Sequence, residues 1–165
     1  MQRRQFLAKS VKLALGSCAA TLLSGKLAPA ALAAAELNNF DEHESRVLTV
    51  MARAMFPHRD LDDSHYLAIV NQLDGLDAAT LNLIKTGIAT MNKNAGGNWL
   101  RLAVDEKLKV MEAAQAEPFF AVILNTSIDV LYRNPDVWKM VGYQGSSIEY
   151  GGYLNRGFDD IDWLP

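Results

Sequence analysis

Apolar residues recur every three or four positions in five stretches of the chain after residue 40, a spacing typical of amphipathic helices. Asp41, Ser64 and Asp77 are the predicted N-caps of the first three helices, because a short polar side chain can accept a hydrogen bond from a free backbone N–H there. Pro57 and Gly75 are predicted to end the first and second helices. The apolar positions of these helices are Val47, Leu48, Met51, Met55 and Phe56 in the first, Tyr66, Leu67, Ile69, Val70 and Leu73 in the second, and Leu81, Leu83, Ile84, Ile88 and Met91 in the third.

Two more helices are predicted beyond residues 94–98, where Asn and Gly interrupt the pattern. The fourth helix begins near Asp105, and the fifth opens at Pro118, a residue that suits the first turn of a helix. The fifth is apolar on nearly every side, which predicts a central, buried helix, and one further short turn is expected over residues 136–140. The predicted inward positions are Leu108, Val110 and Met111 in the fourth helix and Phe119, Phe120, Val122, Ile123, Leu124, Ile128, Val130, Leu131 and Tyr132 in the fifth.

No stretch shows the sustained two-residue alternation of a half-buried strand. The predicted fold class is therefore all-α, a compact bundle of about five helices. Residues 34–165 are long enough for a single domain with a substantial core.

The composition changes at residue 142. Residues 142–165 hold five of the 11 glycines and three of the five tyrosines of the chain, which predicts an irregular tail whose aromatic side chains suit an interface. Packing of this tail back on its own bundle is the alternative, and one side of the tail can pack while the other meets a partner. The residues predicted to contact a partner are Tyr143, Tyr150, Tyr153, Phe158 and Trp163.

The first 33 residues have the parts of an export signal: a basic start, a moderately apolar middle and a small-residue cleavage site. The order of residues at the start resembles a twin-arginine signal, which serves proteins exported in the folded state. Cleavage is predicted before Ala34, after the small-x-small pair of Ala31 and Ala33, with a second option before Glu36. The residues that carry the predicted signal are Arg3, Arg4, Phe6, Leu7 and Lys9.

Charge is distributed unevenly between this leader and the rest of the chain. Residues 1–33 contain five of the 16 basic residues and none of the 19 acidic ones, so residues 34–165 carry a formal net charge of −8. An acidic body argues against nucleic acid as a partner. Cys18, the only cysteine, cannot form an internal disulfide. It lies in a segment that loosely resembles a lipoprotein box, so lipidation there stays an alternative.

Few residues suggest chemistry. His58 and His65, with Asp60, Asp62 and Asp63 between them, could form a metal site, but a polar loop at a helix junction gives the same pattern. The chain has no His-Glu-x-x-His run, no phosphate loop, no nucleophile elbow and no cysteine pair for haem or an iron–sulfur cluster. We therefore expect no catalytic residues, and neither a cofactor nor a metal bound by this chain.

The chain resembles the small-subunit (subunit 3) family of gluconate 2-dehydrogenase and related periplasmic flavoprotein dehydrogenases. The resemblance covers nearly all of residues 34–165, and its motifs are packing and loop residues. The segments that carry it are Arg3-Arg4-Gln5-Phe6-Leu7, Ala54-Met55-Phe56-Pro57, the run from Phe119 through Tyr132 to Gly142-Tyr143-Gln144-Gly145, Tyr150-Gly-Gly-Tyr153 and Phe158-Asp-Asp-Ile-Asp-Trp163.

The resemblance implies a non-catalytic subunit that supplies the export signal for a partner and assists its folding, export and stability. The implied partner is a large subunit of the glucose–methanol–choline oxidoreductase type, which carries FAD and oxidises a sugar, sugar acid or polyol. A membrane-attached cytochrome c subunit, with haem c, and the twin-arginine translocase are further implied partners. The expected location is the periplasm, with membrane association through the complex.

Two other functions stay open from the sequence. One is a free-standing periplasmic helical protein that binds a small ligand in an enclosed pocket, which the aromatic tail would line. The other is an enzyme in its own right that uses His58, His65 and Asp60.

Overall fold

The computed structural model describes residues 37–148, 151 and 152, and these residues form helices and loops without a β-strand. The elements in chain order are α1 Glu42–Met55, α2 Asp63–Asp74, α3 Ala78–Asn94, the 3₁₀ turn η1 Trp99–Arg101, α4 Val104–Ala114, α5 Pro118–Tyr132 and α6 Pro135–Met140. The predicted all-α class is confirmed, and the short turn expected over residues 136–140 is α6. No helix in this part of the chain combines the length and the hydrophobicity needed to cross a membrane.

The chain divides into two units between Leu131 and Tyr132. The first unit contains α1 to α4 and all but the last residue of α5. Within it, α1 packs on α2 and α3, and α3 packs on η1 and α4. The second unit contains α6 and the residues that follow it.

Asp side chains begin three of the helices. Asp41 caps α1 in a reciprocal capping box, because its Oδ1 accepts the backbone N–H of Glu44 at 2.7 Å and the Glu44 carboxylate accepts the Asp41 N–H at 3.0 Å. Asp77 caps α3 as predicted. The predicted cap of α2 is wrong: Asp62, not Ser64, is the N-cap, and its carboxylate accepts the Ser64 N–H at 3.0 Å.

The central helix is α1 and not α5. Every residue from 47 to 53 of α1 is buried, whereas Ile128 on α5 keeps 43% of its surface exposed. The expectation of a fully buried fifth helix is therefore wrong. Only one side of α5 is buried, and its buried residues are Phe119, Phe120, Ile123, Ser127 and Leu131.

The predicted inward side of α4 is only partly correct. Leu108 and Val110 on α4 are half-buried, and the buried side of that helix carries Lys107, with Met111 and Ala114. The aliphatic stem of a lysine can lie along an apolar core. Leu83 on α3 is exposed.

Glycines end α3 and α6 with the same hydrogen-bond pattern. After α6, Gly142 has a φ of 74° and donates to the Lys139 carbonyl at 3.3 Å, while the Tyr143 N–H donates to the Trp138 carbonyl at 2.8 Å. These two bonds form a Schellman motif, which satisfies carbonyls at the end of a helix. Gly96, with a φ of 74°, starts the equivalent motif after α3.

Candidate functional site

The predicted export residues Arg3, Arg4, Phe6, Leu7 and Lys9 and the cleavage residues Ala31, Ala33 and Ala34 lie outside the described residues. The same holds for Tyr150, Tyr153, Phe158 and Trp163 of the predicted interface. Near these predicted sites, the structure describes the segment where the chain enters α1 and the start of the tail.

The segment that enters α1 is held by a buried carboxylate at the end of α2. Asp74 Oδ2 accepts the backbone N–H of Asn38 at 2.8 Å, and Oδ1 accepts those of Asn39 and Phe40 at 2.9 and 3.0 Å. The Asn39 side-chain amide also donates to the Asp74 main-chain carbonyl at 2.9 Å. Three successive N–H groups on one carboxylate make a local anion-binding turn.

Lys85 of α3 holds the same segment from another side. Its Nζ donates to the Asn39 carbonyl at 2.5 Å and lies 3.5 Å from the Glu44 carboxylate. The ammonium also lies 5.8 Å from the centre of the Phe40 ring, and Phe40 itself is buried. We call Asp74 and Lys85, with residues 38–40, the entry clasp.

Burial and hydrogen bonding act on the Asp74 pKa in opposite directions. Burial raises it, because the charged form loses water, and the N–H groups of residues 38–40 lower it, because they stabilise the carboxylate. The net effect is a lowered pKa. Asp74 is therefore an anion throughout the neutral range, and its hydrogen bonds are charge-assisted.

Tyr143 is the one predicted interface residue that the structure describes. It keeps 45% of its surface exposed, and its ring meets Trp138 edge-on with 5.5 Å between ring centres. The Trp138 indole N–H in turn donates to the Tyr132 carbonyl at 2.6 Å. Tyr143 thus packs on its own unit on one side and is open on the other.

The start of the tail also exposes aliphatic residues. Val141 is 57% exposed and Ile148 is 84% exposed. Isolated exposed apolar residues are common on protein surfaces. Two of them within eight residues, with the exposed Tyr143 between them, are more typical of a contact surface.

The candidate metal or catalytic residues are explained locally. His65 Nδ1 lies 3.0 Å from Asp62 Oδ1, the same oxygen that accepts from Ser64, so this pair belongs to the cap of α2. Hydrogen bonds from Ser64 and His65 lower the Asp62 pKa to about 2, and burial lowers the pKa of His58. Among residues 37–148, 151 and 152, no group of three or more His, Cys, Asp or Glu could hold a metal ion.

A partly buried ion pair joins the end of α1 to the start of α2. Arg53 contacts Asp63 Oδ1 through Nε, at 2.9 Å, and through its terminal nitrogen, which also donates to the Leu61 carbonyl at 3.2 Å. The guanidinium lies 4.3 Å from the centre of the Tyr66 ring, and the Tyr66 hydroxyl donates to the Phe56 carbonyl at 2.6 Å. This cluster fixes the loop that carries His58.

A network of polar contacts links α1, α3, η1 and α4. The sequence pattern did not indicate this network. Asn92 accepts the Trp99 backbone N–H on Oδ1 at 3.0 Å and contacts His43 Nε2 through its amide nitrogen at 3.0 Å. The fully buried Trp99 indole donates to the Lys107 carbonyl at 3.1 Å. Burial lowers the pKa of Lys107. The Asn94-Ala-Gly-Gly-Asn98 segment indicated a loop here and gave no sign of these partners.

Comparison with known proteins places no further constraint on the site. No family model, curated protein or solved structure matches this chain.

Proposed function

We propose that this chain is a non-catalytic small subunit of a periplasmic FAD-dependent dehydrogenase complex. It carries the twin-arginine export signal and escorts the flavoprotein subunit, which would be of the glucose–methanol–choline type and act on a sugar, sugar acid or polyol. A membrane-attached cytochrome c subunit completes the proposed complex. The basis is the resemblance and the leader pattern Arg3-Arg4-x-Phe6-Leu7, together with one structural observation.

That observation is the exposure of apolar side chains at the start of the tail. Ile148 and Val141 are mostly exposed, and the open side of Tyr143 adds an aromatic surface with a polar tip. A partner that covered these groups would remove apolar area from water, which favours association. The acidic body, at −8 for residues 34–165, favours a basic or neutral partner surface.

The export role is tested with the double variant Arg3→Lys/Arg4→Lys in the native host. Lysine keeps the positive charge, so a general secretory signal would still work, while a twin-arginine signal would fail. We expect both this chain and the flavoprotein to remain in the cytoplasm. Lys26→Arg, a basic change outside the twin-arginine pair, is the matched control and leaves export intact. Normal export of the flavoprotein in the double variant would remove the escort role.

The contact surface is tested separately with Ile148→Asp, measured by co-purification of flavin-containing protein from the periplasm. Leu83→Asp places the same charge at an exposed apolar position on α3 and serves as control. We expect the Ile148 variant to lose flavoprotein and the Leu83 variant to retain it. A purified chain that remains monomeric and saturates with a small ligand would instead favour a free-standing binding protein.

A further inference from the structure

Asp74 is followed by Gly75, and this is the only Asp-Gly pair in the chain. Asp-Gly is the sequence at which an aspartyl residue isomerises most readily, because glycine presents its backbone nitrogen without a side chain that hinders attack. The same Asp74 carboxylate is the centre of the entry clasp. The two observations are independent: one concerns covalent reactivity and the other hydrogen bonding.

We propose that Asp74–Gly75 is a latent site of isoaspartate formation that the entry clasp keeps unreactive in the folded protein. In the reaction the Gly75 nitrogen attacks Asp74 Cγ. A bond forms between them, and a carboxyl oxygen leaves as water with the amide proton and a proton from solvent. Water then opens the five-membered imide. Addition at Cγ restores aspartate, and addition at the main-chain carbonyl carbon gives isoaspartate, with Gly75 joined to Cγ.

The entry clasp hinders the first step through the hydrogen bonds that it makes. Both carboxylate oxygens of Asp74 accept hydrogen bonds from residues 38–40, and its main-chain carbonyl accepts from the Asn39 amide. The Gly75 N–H is engaged with the Leu73 carbonyl at the end of α2. Ring closure removes one carboxylate oxygen and so breaks at least one of these hydrogen bonds, because Oδ2 accepts the Asn38 N–H and Oδ1 accepts those of Asn39 and Phe40.

The clasp also opposes the reaction chemically. A carboxylate is a poorer electrophile than a carboxylic acid, and the N–H groups of residues 38–40 hold Asp74 in the ionised form. Reactivity at Asp74 therefore depends on how often the entry segment detaches from α2, which is a local opening equilibrium.

Isomerisation of Asp74 would keep the entry segment, residues 38–40, from binding to the end of α2 again. Isoaspartate carries its free carboxylate directly on Cα, so the carboxylate arm is one methylene shorter, while the main chain is longer by that methylene. The shortened arm cannot hold the three N–H groups at 2.8–3.0 Å with the backbone of α2 in place. The modified residue is a substrate for an enzyme that methylates isoaspartyl carboxylates.

The test is prolonged incubation of the purified full chain at neutral pH, below its unfolding temperature, followed by peptide mapping and isoaspartyl methylation. The loosened variant is Asn39→Ala/Lys85→Met, which removes the Asn39 side-chain bond and the Lys85 bond but no backbone donor to Asp74. The matched control is Lys93→Met/Asn94→Ala, the same residue types at exposed positions on α3. A peptide of residues 70–80 gives the unprotected rate.

We expect the wild-type chain and the control to form isoaspartate at Asp74 at least about tenfold more slowly than the peptide, with the loosened variant in between. Adding Gly75→Ala to the loosened variant should slow formation of the product strongly, because the alanine side chain hinders attack by the backbone nitrogen. The structure accommodates that alanine, because its Cβ would lie 3.7 Å from the nearest non-neighbouring atom.

Two results would overturn the proposal. One is a wild-type rate equal to that of the peptide. The other is a loosened variant that keeps its helical circular dichroism and isomerises no faster than the control. If the loosened variant unfolds, the proposal is tested by amide hydrogen exchange on the isomerised wild-type chain. Faster exchange at residues 38–40 than in the unmodified chain supports the proposal, and unchanged exchange contradicts it.

Discussion

The ring of Phe119 lies directly against the backbone of Gly87, so that a Cβ at position 87 would come within 2.2 Å of Phe119 Cγ. Both residues are buried, and the contact brings α5 close to α3. Glycine in a helix interior costs about 1 kcal/mol relative to alanine. Here the missing side chain makes room for an aromatic ring.

Gly87→Ala should therefore destabilise the protein despite the better helix propensity of alanine. Overpacking of a core costs roughly 1–3 kcal/mol, against a gain of about 1 kcal/mol from the helix. Denaturant unfolding of the full chain measures the difference. Thr86→Ala, at the exposed neighbouring position, is the control, and Phe119→Leu in the Gly87→Ala background should recover part of the loss. A net gain in stability from Gly87→Ala alone would contradict the close packing.

Removal of Asp63 should be far more harmful than removal of a surface acid. Its partner Arg53 has a side chain that is only 8% exposed, so Asp63→Ala would leave a buried charge without its carboxylate. We expect a loss of about 3–5 kcal/mol in unfolding free energy. Glu42→Ala breaks the exposed pair with Arg46 and should cost less than about 1 kcal/mol. The double variant Arg53→Met/Asp63→Leu should be more stable than Asp63→Ala.

Position 92 is expected to tolerate a side chain that accepts a hydrogen bond but not an apolar side chain. Its Oδ1 accepts the Trp99 N–H, and its amide nitrogen faces His43 Nε2. Asn92→Leu leaves a backbone donor unpaired and should cost roughly 1–3 kcal/mol. Asn92→Asp keeps an oxygen acceptor for the Trp99 N–H and should cost less than Asn92→Leu. Equal losses of unfolding free energy for both variants would show that the network does not act through this bond.

The Asp74 carboxylate should make folding stability depend on acidity. Its pKa is lowered from 3.8 in the folded chain, so its contribution is fully present above the unfolded value. The contribution is lost as the pH falls through the folded pKa. Asp74→Asn should flatten the acid limb of a stability–pH profile and cost roughly 2–4 kcal/mol at neutral pH. If the acid limb of the profile is unchanged in Asp74→Asn, the entry clasp is not the origin of the acid dependence of stability.

Asp62 offers a second acid-sensitive group at the surface. Hydrogen bonds from Ser64 and His65 lower its pKa to about 2, so its contribution is lost as the pH falls from the unfolded value of 3.8 toward 2. Added salt should weaken the ionic part, because the carboxylate is exposed. Asp62→Asn, which is still an N-cap residue, should retain the helix start but lose the acid dependence. Titration of Asp62 by nuclear magnetic resonance checks the direction directly.

The sequence predicted features that depend on neighbouring residues. Asp41 and Asp77 were recognisable as caps because each hydrogen-bonds N–H groups two or three residues along. The Asp62 cap was missed because Ser64, two positions later, offers the same chemistry. All five predicted apolar positions of α2 are buried, since that helix has one contiguous apolar side.

Features that depend on distant residues could not be predicted in the same way. The burial of Lys107 depends on how the fully buried Trp99 lies, since the Trp99 indole binds the Lys107 carbonyl. The partners of Asp74 are 34 to 36 residues earlier in the chain. Ile128 is exposed because few elements cover α5. The periodicity of apolar residues in the sequence does not indicate how many elements will cover a helix.

The entry clasp joins residues that a ribosome makes at different times. The Asn39 backbone N–H donates to Asp74, 35 residues later, and the Asn39 carbonyl accepts from Lys85, 46 residues later. The beginning of the domain therefore cannot take its final place until α2 and much of α3 have been synthesised. Residues 38–40 therefore leave the ribosome before the partners that hold them, so a nascent chain presents this segment before α2 and α3 close on it.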